Sequence, residues 1–343
     1  MKKTLIIGFF GLAAIWTLAM PAVVGVYLQD WVTEWLDEAL PRSEAKPDSG
    51  WFETRLDLAE PPYTLAARAR HFPLPGPAWV RLDAEISAPF AAKGIEADGH
   101  IGLTGNTRLA LNAETLAWEG RAAVMLGSSR LDLDQRPGRR TRLELEGVDA
   151  LALDAHGNRL AFERFDAETI WSLRDDELGR LKLRLDLTDE AGQPAGLSIH
   201  AEPIRPDALA DLVEGLEQLG RARPESMDRQ IALLTLTGAW QQLAEAGLVI
   251  ELETFRLDAE SAVQGHWHVA ADELVVRGDG SLAAIIDRLG PVVGLSLDLS
   301  PAEAERQLRD WLATLSANGW LTVEDGRFDF DYPPERASES SGG

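Results

Sequence analysis

The chain has 343 residues, with 56 acidic against 33 basic side chains and a formal net charge of −23 at pH 7. Such a charge repels nucleic acid and anionic lipid head groups at long range, so no nucleic-acid partner is expected. Cysteine is absent, which excludes thiol catalysis, iron–sulfur clusters and cysteine-ligated zinc.

The N-terminal part contains a stretch, residues 4–28, that carries no charge. As a helix at ~1.5 Å per residue it would cross the ~30 Å hydrocarbon core with some tilt. Lys2 and Lys3 precede it and acidic residues follow it, which predicts a cytoplasmic N-terminus. A cleaved signal peptide is the alternative, but its apolar core is usually ~7–15 residues. In addition, Pro21 follows the candidate cleavage site Ala19-Met20, and proline is unfavourable directly after a cleaved bond. We expect residues 1–29 to anchor the chain in the bacterial inner membrane as a single-pass protein.

The rest of the chain divides into three further regions. Residues 30–50 are predicted to form a juxtamembrane helix that stops at Pro41, followed by a polar linker. Residues 51–332 are predicted to form a β-rich periplasmic domain with a possible sub-boundary near residues 200–206. Residues 333–343 are polar and predict a disordered tail.

The first half of the main domain alternates between apolar and polar residues, as half-buried strands do. The alternating segments are residues 51–58, 80–87, 100–103, 107–111, 130–134, 141–146, 150–154 and 181–187. Turn signals such as Gly105-Asn106 and Pro137-Gly138 separate them. One apolar and one charged face is typical of an antiparallel sheet with one face in water.

Helical patterns occur only in the second half. An apolar stripe follows Pro206, a second helix is predicted over residues 225–246 and a short one over residues 281–289. Ser300-Pro301-Ala302-Glu303 is a capping box with proline at the first helical position, and Asn318-Gly319 ends that helix. Strands are predicted over residues 248–259, 265–277 and 295–299, and a final strand or hairpin over residues 320–332.

This order of elements indicates the α+β class. We expect a long curved antiparallel β-sheet with a few covering helices in the C-terminal half, plus the N-terminal transmembrane helix. A doubly wound parallel sheet would alternate strand and helix from the start, and this chain does not.

His266 and His268 are the only local pair of histidines. On a strand, positions two apart share a face, so both can bind one metal ion with Asp272 or Glu273 as a third ligand. A solvent-facing pair on either side of a buried Trp267 explains the pattern equally well.

Paired carboxylates two residues apart can perform acid–base chemistry. The pairs are Asp132/Asp134, Glu144/Glu146, Glu251/Glu253 and Asp329/Asp331. Because there are so many, we interpret them as the polar faces of strands. Asp279-Gly280 and Asp325-Gly326 are interpreted as turns and not as calcium loops.

The sequence contains no nucleophile elbow, phosphate loop, dinucleotide fingerprint or HExxH zinc motif. No catalytic, cofactor-binding or metal-binding residue is therefore assigned, and no cofactor is expected.

Short motifs spread over most of the chain resemble the YdgA-like family of uncharacterised bacterial envelope proteins. They are the basic start with a single span, Gly50-Trp51-Phe52-Glu53-Thr54, Asp207-Ala208-Leu209, Leu248-Val249-Ile250-Glu251 and Gly319-Trp320-Leu321. The chain lacks the Asn-Gly ending of many members. The resemblance implies envelope localisation and a β-rich fold similar to groove-forming envelope proteins, some of which are thought to move lipids.

Three function classes follow. The first is a non-enzymatic lipid- or amphiphile-binding module of the envelope, in which a sheet with one apolar face shields acyl chains. The alternative is a scaffold or assembly factor that binds other envelope proteins, for example at a sheet edge. A membrane-tethered hydrolase is third. The expected partners are therefore the inner membrane, lipid and other envelope proteins.

Overall fold

The computed structural model describes residues 48–49, 52–60, 63–71, 80–102, 104–120, 122–174, 178–221 and 226–334. The predicted anchor (1–29), nearly all of the region 30–50 and nearly all of the tail lie outside these residues. Strands hold 54% of the described residues and helices 26%, so the chain is a β-rich α+β protein with antiparallel pairing, as predicted. Among the helices within these ranges, none combines the length and apolarity needed to cross a membrane.

Eighteen strands and four helices are present in the described ranges. The strands up to residue 136 are β1 (Asp48–Ser49), β2 (Glu53–Glu60), β3 (Tyr63–His71), β4 (Val80–Ser87), β5 (Ile95–Ile101), β6 (Thr107–Ala113), β7 (Leu116–Glu119), β8 (Ala122–Leu126) and β9 (Ser129–Arg136). The later strands are β10 (Arg140–Asp154), β11 (Arg159–Leu173), β12 (Gly179–Thr188), β13 (Pro194–Ile204), β14 (Val249–Arg256), β15 (Ala262–His268), β16 (Glu273–Ser281), β17 (Leu321–Glu324) and β18 (Arg327–Tyr332). The helices are α1 (Pro206–Arg221), α2 (Met227–Glu245), α3 (Leu282–Leu297) and α4 (Pro301–Ala317).

The chain forms two compact units. The first contains the described residues up to Trp118 together with Met125–Pro137 and Thr141–Gly147. The second contains Glu119–Val124, Gly138–Arg140 and the described residues from Val148 onward. The domain boundaries expected from the sequence stay predictions.

The first unit pairs its strands antiparallel in the order β1-β2-β3-β4-β5-β6-β9. The alternation seen in the sequence sorts the side chains, because neighbours in register share a face. One row across six strands is apolar, and its members are Leu56, Ala67, Ala84, Ala97, Leu111 and Leu131. A row of the opposite face is charged and contains Arg55, Arg68, Asp83 and Asp98.

The second unit pairs its strands antiparallel in the order β11-β12-β13-β14-β15-β16-β18-β17. Its apolar face includes the row Ala167, Leu185, Leu197, Phe255, Val263, Gly278, Phe330 and Leu321. The register shifts between Leu252 and Phe255, so both side chains stay on this face although they are three residues apart.

In the second unit, each of two helix pairs packs against strand residues and forms a separate hydrophobic core. Ala208 of α1 and Leu243 of α2 are buried with Ala201, Leu248 and Val269. Ile285 of α3 and Leu308 of α4 are buried in a second cluster with the residues Leu257, Leu321 and Phe328. Between the two cores, the strand residues Leu183, Ile199 and Leu252 stay half-buried.

Three sequence predictions need correction. The strand predicted over residues 265–277 is instead two strands, β15 and β16, which the short helix Val269–Ala271 separates. The predicted strand at residues 295–299 is wrong, because α3 continues past Pro291 to Leu297 and ends at Asp298 in the left-handed conformation (φ 58°). Asp279-Gly280 is not a turn, since both residues lie within β16, where Gly280 (φ 153°) leaves room for the buried Ser261. The other predicted turn is confirmed: Asp325 and Gly326 join β17 to β18 with positive φ.

Candidate functional site

The second unit contains an apolar cavity between its sheet and α3. Its volume is about 410 Å³. The apolar lining consists of Leu160, Ala161, Phe162, Leu185, Leu187, Ala195, Leu197, Phe255, Leu257, Leu289, Pro291 and Val292. Charged residues line the same cavity, and they are Arg159, Asp189, Glu190, Asp287 and Arg288. The cavity therefore offers an apolar interior together with charged groups.

The strand β12 forms part of the sheet surface that lines the cavity, which we call the floor. Leu185 and Leu187 alternate with Arg184 and Asp186, so the leucines share one face and the charged pair the other. On that other face the Arg184 Nε donates to Asp186 Oδ2 at 2.6 Å. The alternation that predicted this strand from the sequence therefore supplies the apolar floor.

The helix α3 forms the wall of the cavity where its hydrogen-bond ladder is interrupted. Pro291 has no N–H, so it cannot donate to the carbonyl of Asp287 one turn earlier. Leu289, Pro291 and Val292 line the cavity, and Val292 is 41% exposed. Ile285, by contrast, is buried in the core against α4.

An ion pair ties the wall to the turn between β12 and β13. Arg288 of α3 lies 2.7 Å from Asp189 Oδ2, and both side chains are mostly buried. Asp189 Oδ1 also accepts backbone N–H bonds from Ala191 (2.9 Å) and Gln193 (2.7 Å). Partial burial raises the pKa of Asp189, but the bonds from Gln193 and Arg288 outweigh it and lower the pKa below its ordinary value.

The other arginines at the cavity differ in their position. Arg159 forms a bidentate pair with Glu190, with nitrogen–oxygen distances of 3.1 and 2.5 Å. This contact holds the pKa of Glu190 below its ordinary value. Arg256 is level with Gly196 and Asp186, so its side chain lies on the charged face of the sheet and not on the face that Leu197 and Phe255 present to the cavity. The half-exposed Arg159 is therefore the arginine of the cavity that a charged ligand group can reach.

A polar contact beyond the cavity fixes the far end of α3. Asn158, only 2% exposed, donates from Nδ2 to Asp154 Oδ2 (2.6 Å) and to the carbonyl of Leu299 (2.7 Å). Burial raises the pKa of Asp154, but hydrogen bonds from Asn158 and His156 hold it below its ordinary value. The turn between β10 and β11 is thus bound to the link between α3 and α4.

The charged face of the second unit brings together a serine, a histidine and carboxylates. Ser198 Oγ donates to Glu253 Oε2 at 2.5 Å, and Lys182 Nζ lies 3.3 Å from the same oxygen. His200 instead lies 3.8 Å from both Glu251 and Glu202.

This group does not form an activated nucleophile. The bond from Ser198 lowers the pKa of Glu253 most, with Lys182 adding to the effect, so the carboxylate is a weaker base than usual. A hydrolytic serine needs a base that takes its proton, and in the structure that partner is an ion-paired carboxylate and not His200.

The histidine pair of β15 is adjacent, as the sequence predicted. The rings of His266 and His268 lie edge to face with centroids 5.3 Å apart. No three His, Cys, Asp or Glu side chains within the described residues are grouped to hold a metal ion. Asp272, an expected third ligand, ends the short helix Val269–Ala271 in the left-handed conformation.

Several acidic pairs from the sequence lie in ion pairs on charged sheet faces. Asp132 pairs with Arg130, and Asp134 with Arg108. In the second unit Asp331 lies 3.3 Å from Arg277. This arrangement agrees with their interpretation as polar strand faces.

Sequence reasoning did not assign the cavity. Leu185 and Leu187 were recognised as strand residues, but β11 and the extension of α3 past Pro291 were not predicted. The available signal was the proline inside an otherwise apolar helical stretch. Comparisons with protein-family models, curated proteins and solved structures give no match.

Proposed function

We propose that this chain binds an amphiphile, with the apolar tail in the cavity between β12, β13 and α3 and the polar end at its charged residues. The observation that carries the proposal is an apolar lining beside Arg159 and Arg288 in one cavity. Small-molecule sites in proteins combine these same elements, a mostly apolar cleft and a few placed polar groups.

The size of the cavity suits a hydrocarbon chain. Its volume of about 410 Å³ lies within the range of roughly 300–1,000 Å³ for ligand sites. An apolar cavity of about 150 Å³ already holds a benzene molecule. Each methylene removed from water contributes about 0.8 kcal/mol, so a medium-length chain supplies enough driving force for binding.

The proposal includes the membrane setting expected from the sequence. The uncharged residues 4–28 favour a single-pass protein of the bacterial inner membrane with its main domain in the periplasm. A membrane is a source of amphiphiles, so an amphiphile-binding domain anchored to it lies near its ligand. The resemblance to the YdgA-like family and the idea of a long curved sheet as a groove belong to the same proposal.

The test uses the full chain in an amphipathic polymer without free detergent. The probe is decanoate carrying a photoreactive diazirine, and labelled sites are mapped by peptide mass spectrometry. We expect labels on peptides from β12, β13 and α3, which excess decanoate removes.

A matched pair of variants distinguishes the cavity from other apolar surfaces. Val292→Trp fills the cavity from an exposed position, so its labelling should fall at least about tenfold. Val323→Trp introduces the same side chain at a similarly exposed site on β17 and should leave labelling unchanged. Labels confined to residues 1–29, or equal labelling in both variants, would refute the proposal.

A further inference from the structure

The paired helices α1 and α2 leave an apolar surface in water. Six aliphatic side chains on them are about half exposed or more. They are Val213, Leu216, Met227, Ile231, Leu233 and Leu234. We call them the hairpin patch. Leu234 and Met227 are the most exposed, at 72% and 70%.

The helix α2 is apolar on two opposite sides. Ala232, Ala239 and Leu243 are buried against the rest of the unit. From Gln230 to Ala244 the helix carries no charged residue, although 26% of the whole chain is charged. A surface helix usually carries charged and polar residues on the side opposite its buried face, and on α2 part of that side is aliphatic instead.

The outer side of α2 has the spacing of a helix-packing seam. Met227, Ile231, Leu234 and Gly238 follow one another at intervals of four, three and four residues. This is the repeat that lets two helices pack side by side. Among the described residues, no atom lies within 4 Å of the place where a Cβ on Gly238 would be. Glycine disfavours a helix, and the described residues give no reason for it here, whereas a closely approaching second helix does.

We propose that the hairpin patch binds the same patch of a second copy of this chain, which gives a symmetric four-helix contact. Leu233 lies about a third of a turn from Met227 and stays outside this contact. Burying the other five side chains at on the order of 100 Å² each in both copies removes about 1,000 Å² from water, the lower limit of a specific interface. The uncharged seam lets two strongly acidic molecules approach without placing like charges opposite one another. The exposed carboxylate of Glu214 on α1 and the net charge of −23 disfavour an anionic lipid surface as the occupant. This inference is independent of the proposed amphiphile binding.

The absence of cysteine makes the test direct, since each single substitution introduces the only thiol. The full-length variants Ile231→Cys, Leu234→Cys and Gly238→Cys are oxidised in the membranes of producing cells. We expect a disulfide-linked species of twice 37.5 kDa from the seam position nearest the two-fold axis. Ala313→Cys, on an exposed site of α4, is the matched control and should stay monomeric.

Native mass spectrometry of the full chain gives the second measurement. Leu234→Glu places two carboxylates in the contact and should weaken dimerisation at least about tenfold, while Ala313→Glu should not. A dimer that persists in Leu234→Glu is held together elsewhere and overturns the proposal. Crosslinks to a different protein, or seam thiols shielded from a water-soluble maleimide without a dimer, also overturn it.

Discussion

Asn158 occupies the space that a side chain on Gly294 would need. A Cβ built on Gly294 would overlap all three terminal atoms of the Asn158 amide group, and both residues are buried. The same amide donates to the carbonyl of Leu299, which follows α3. The missing side chain at Gly294 therefore lets the turn at Asn158 contact the wall of the cavity.

Gly294→Ala should destabilise the protein. The added methyl group cannot fit beside Asn158 without moving it, and overpacking of this kind costs about 1–3 kcal/mol. Urea unfolding followed by tryptophan fluorescence measures the change in the free energy of unfolding. Ser296→Ala, on the exposed side of the same helix, should stay within about 0.5 kcal/mol of the parent. Equal effects from both substitutions would contradict the packing at Asn158.

Asn158→Asp should make stability depend on pH. The new carboxyl group would lie beside Asp154, which is 2.6 Å from the Asn158 amide, so the pKa of one of the two must rise. When an acidic group has a raised pKa in the folded state, the protein becomes less stable as the pH rises through that pKa. The decrease in the free energy of unfolding relative to the parent should therefore grow from about pH 4 to pH 7. Asn158→Ala should lose stability with a smaller dependence on pH, and parallel curves for both variants would refute this prediction.

Acid should weaken the attachment of α3 to the β12–β13 turn. The pKa of Asp189 is lowered in the folded protein. Its contribution to stability is therefore fully present above the ordinary pKa of about 3.9 and is lost as the pH falls through the folded pKa. Asp189→Asn should reduce the difference in unfolding free energy between pH 7 and pH 3. Asp310→Asn, at an exposed site on α4, serves as the control and should leave that difference unchanged.

Arg159→Gln should affect charged and neutral amphiphiles differently. Arg159 lines the cavity and its side chain is about half exposed, so it is the cation best placed for an anionic end group. Because an exposed ion pair is weak, the affinity for decanoate should fall only about two- to fivefold. The affinity for uncharged decyl maltoside should not change. Arg309→Gln on α4 is the control, and a loss for both ligands would mean that the substitution damaged the cavity.

The sequence predicted elements whose signals are local. The helix α4 begins at Pro301 and ends at Ala317, as the capping box and Asn318-Gly319 indicated, and Ser300 and Glu303 form both capping bonds. The strand β4 has the predicted bounds Val80–Ser87. In both cases the decisive residues are neighbours in the sequence, so no distant contact was needed to recognise them.

Features that depend on distant residues were not predicted. The contact between Asn158 and Leu299 spans 141 positions, and no local pattern indicates it. The continuation of α3 through Pro291 was missed because proline is a local stop signal. Packing of Ile285 and Gly294 overrides that signal, since both are buried on the helix. The cavity could not be predicted for the same reason, because its floor and its wall come from separate parts of the chain.

The order in which the cavity is built has a consequence for synthesis. Its floor is complete at Leu257, but its wall ends only at Leu297, 40 residues later. At about 5–20 residues per second, the leucines and Phe255 of the floor remain uncovered for roughly two to eight seconds. During that interval the nascent chain exposes an apolar strand surface of the kind that chaperones bind and that aggregation recruits. The late helix α3 is thus also the element that ends this vulnerable period.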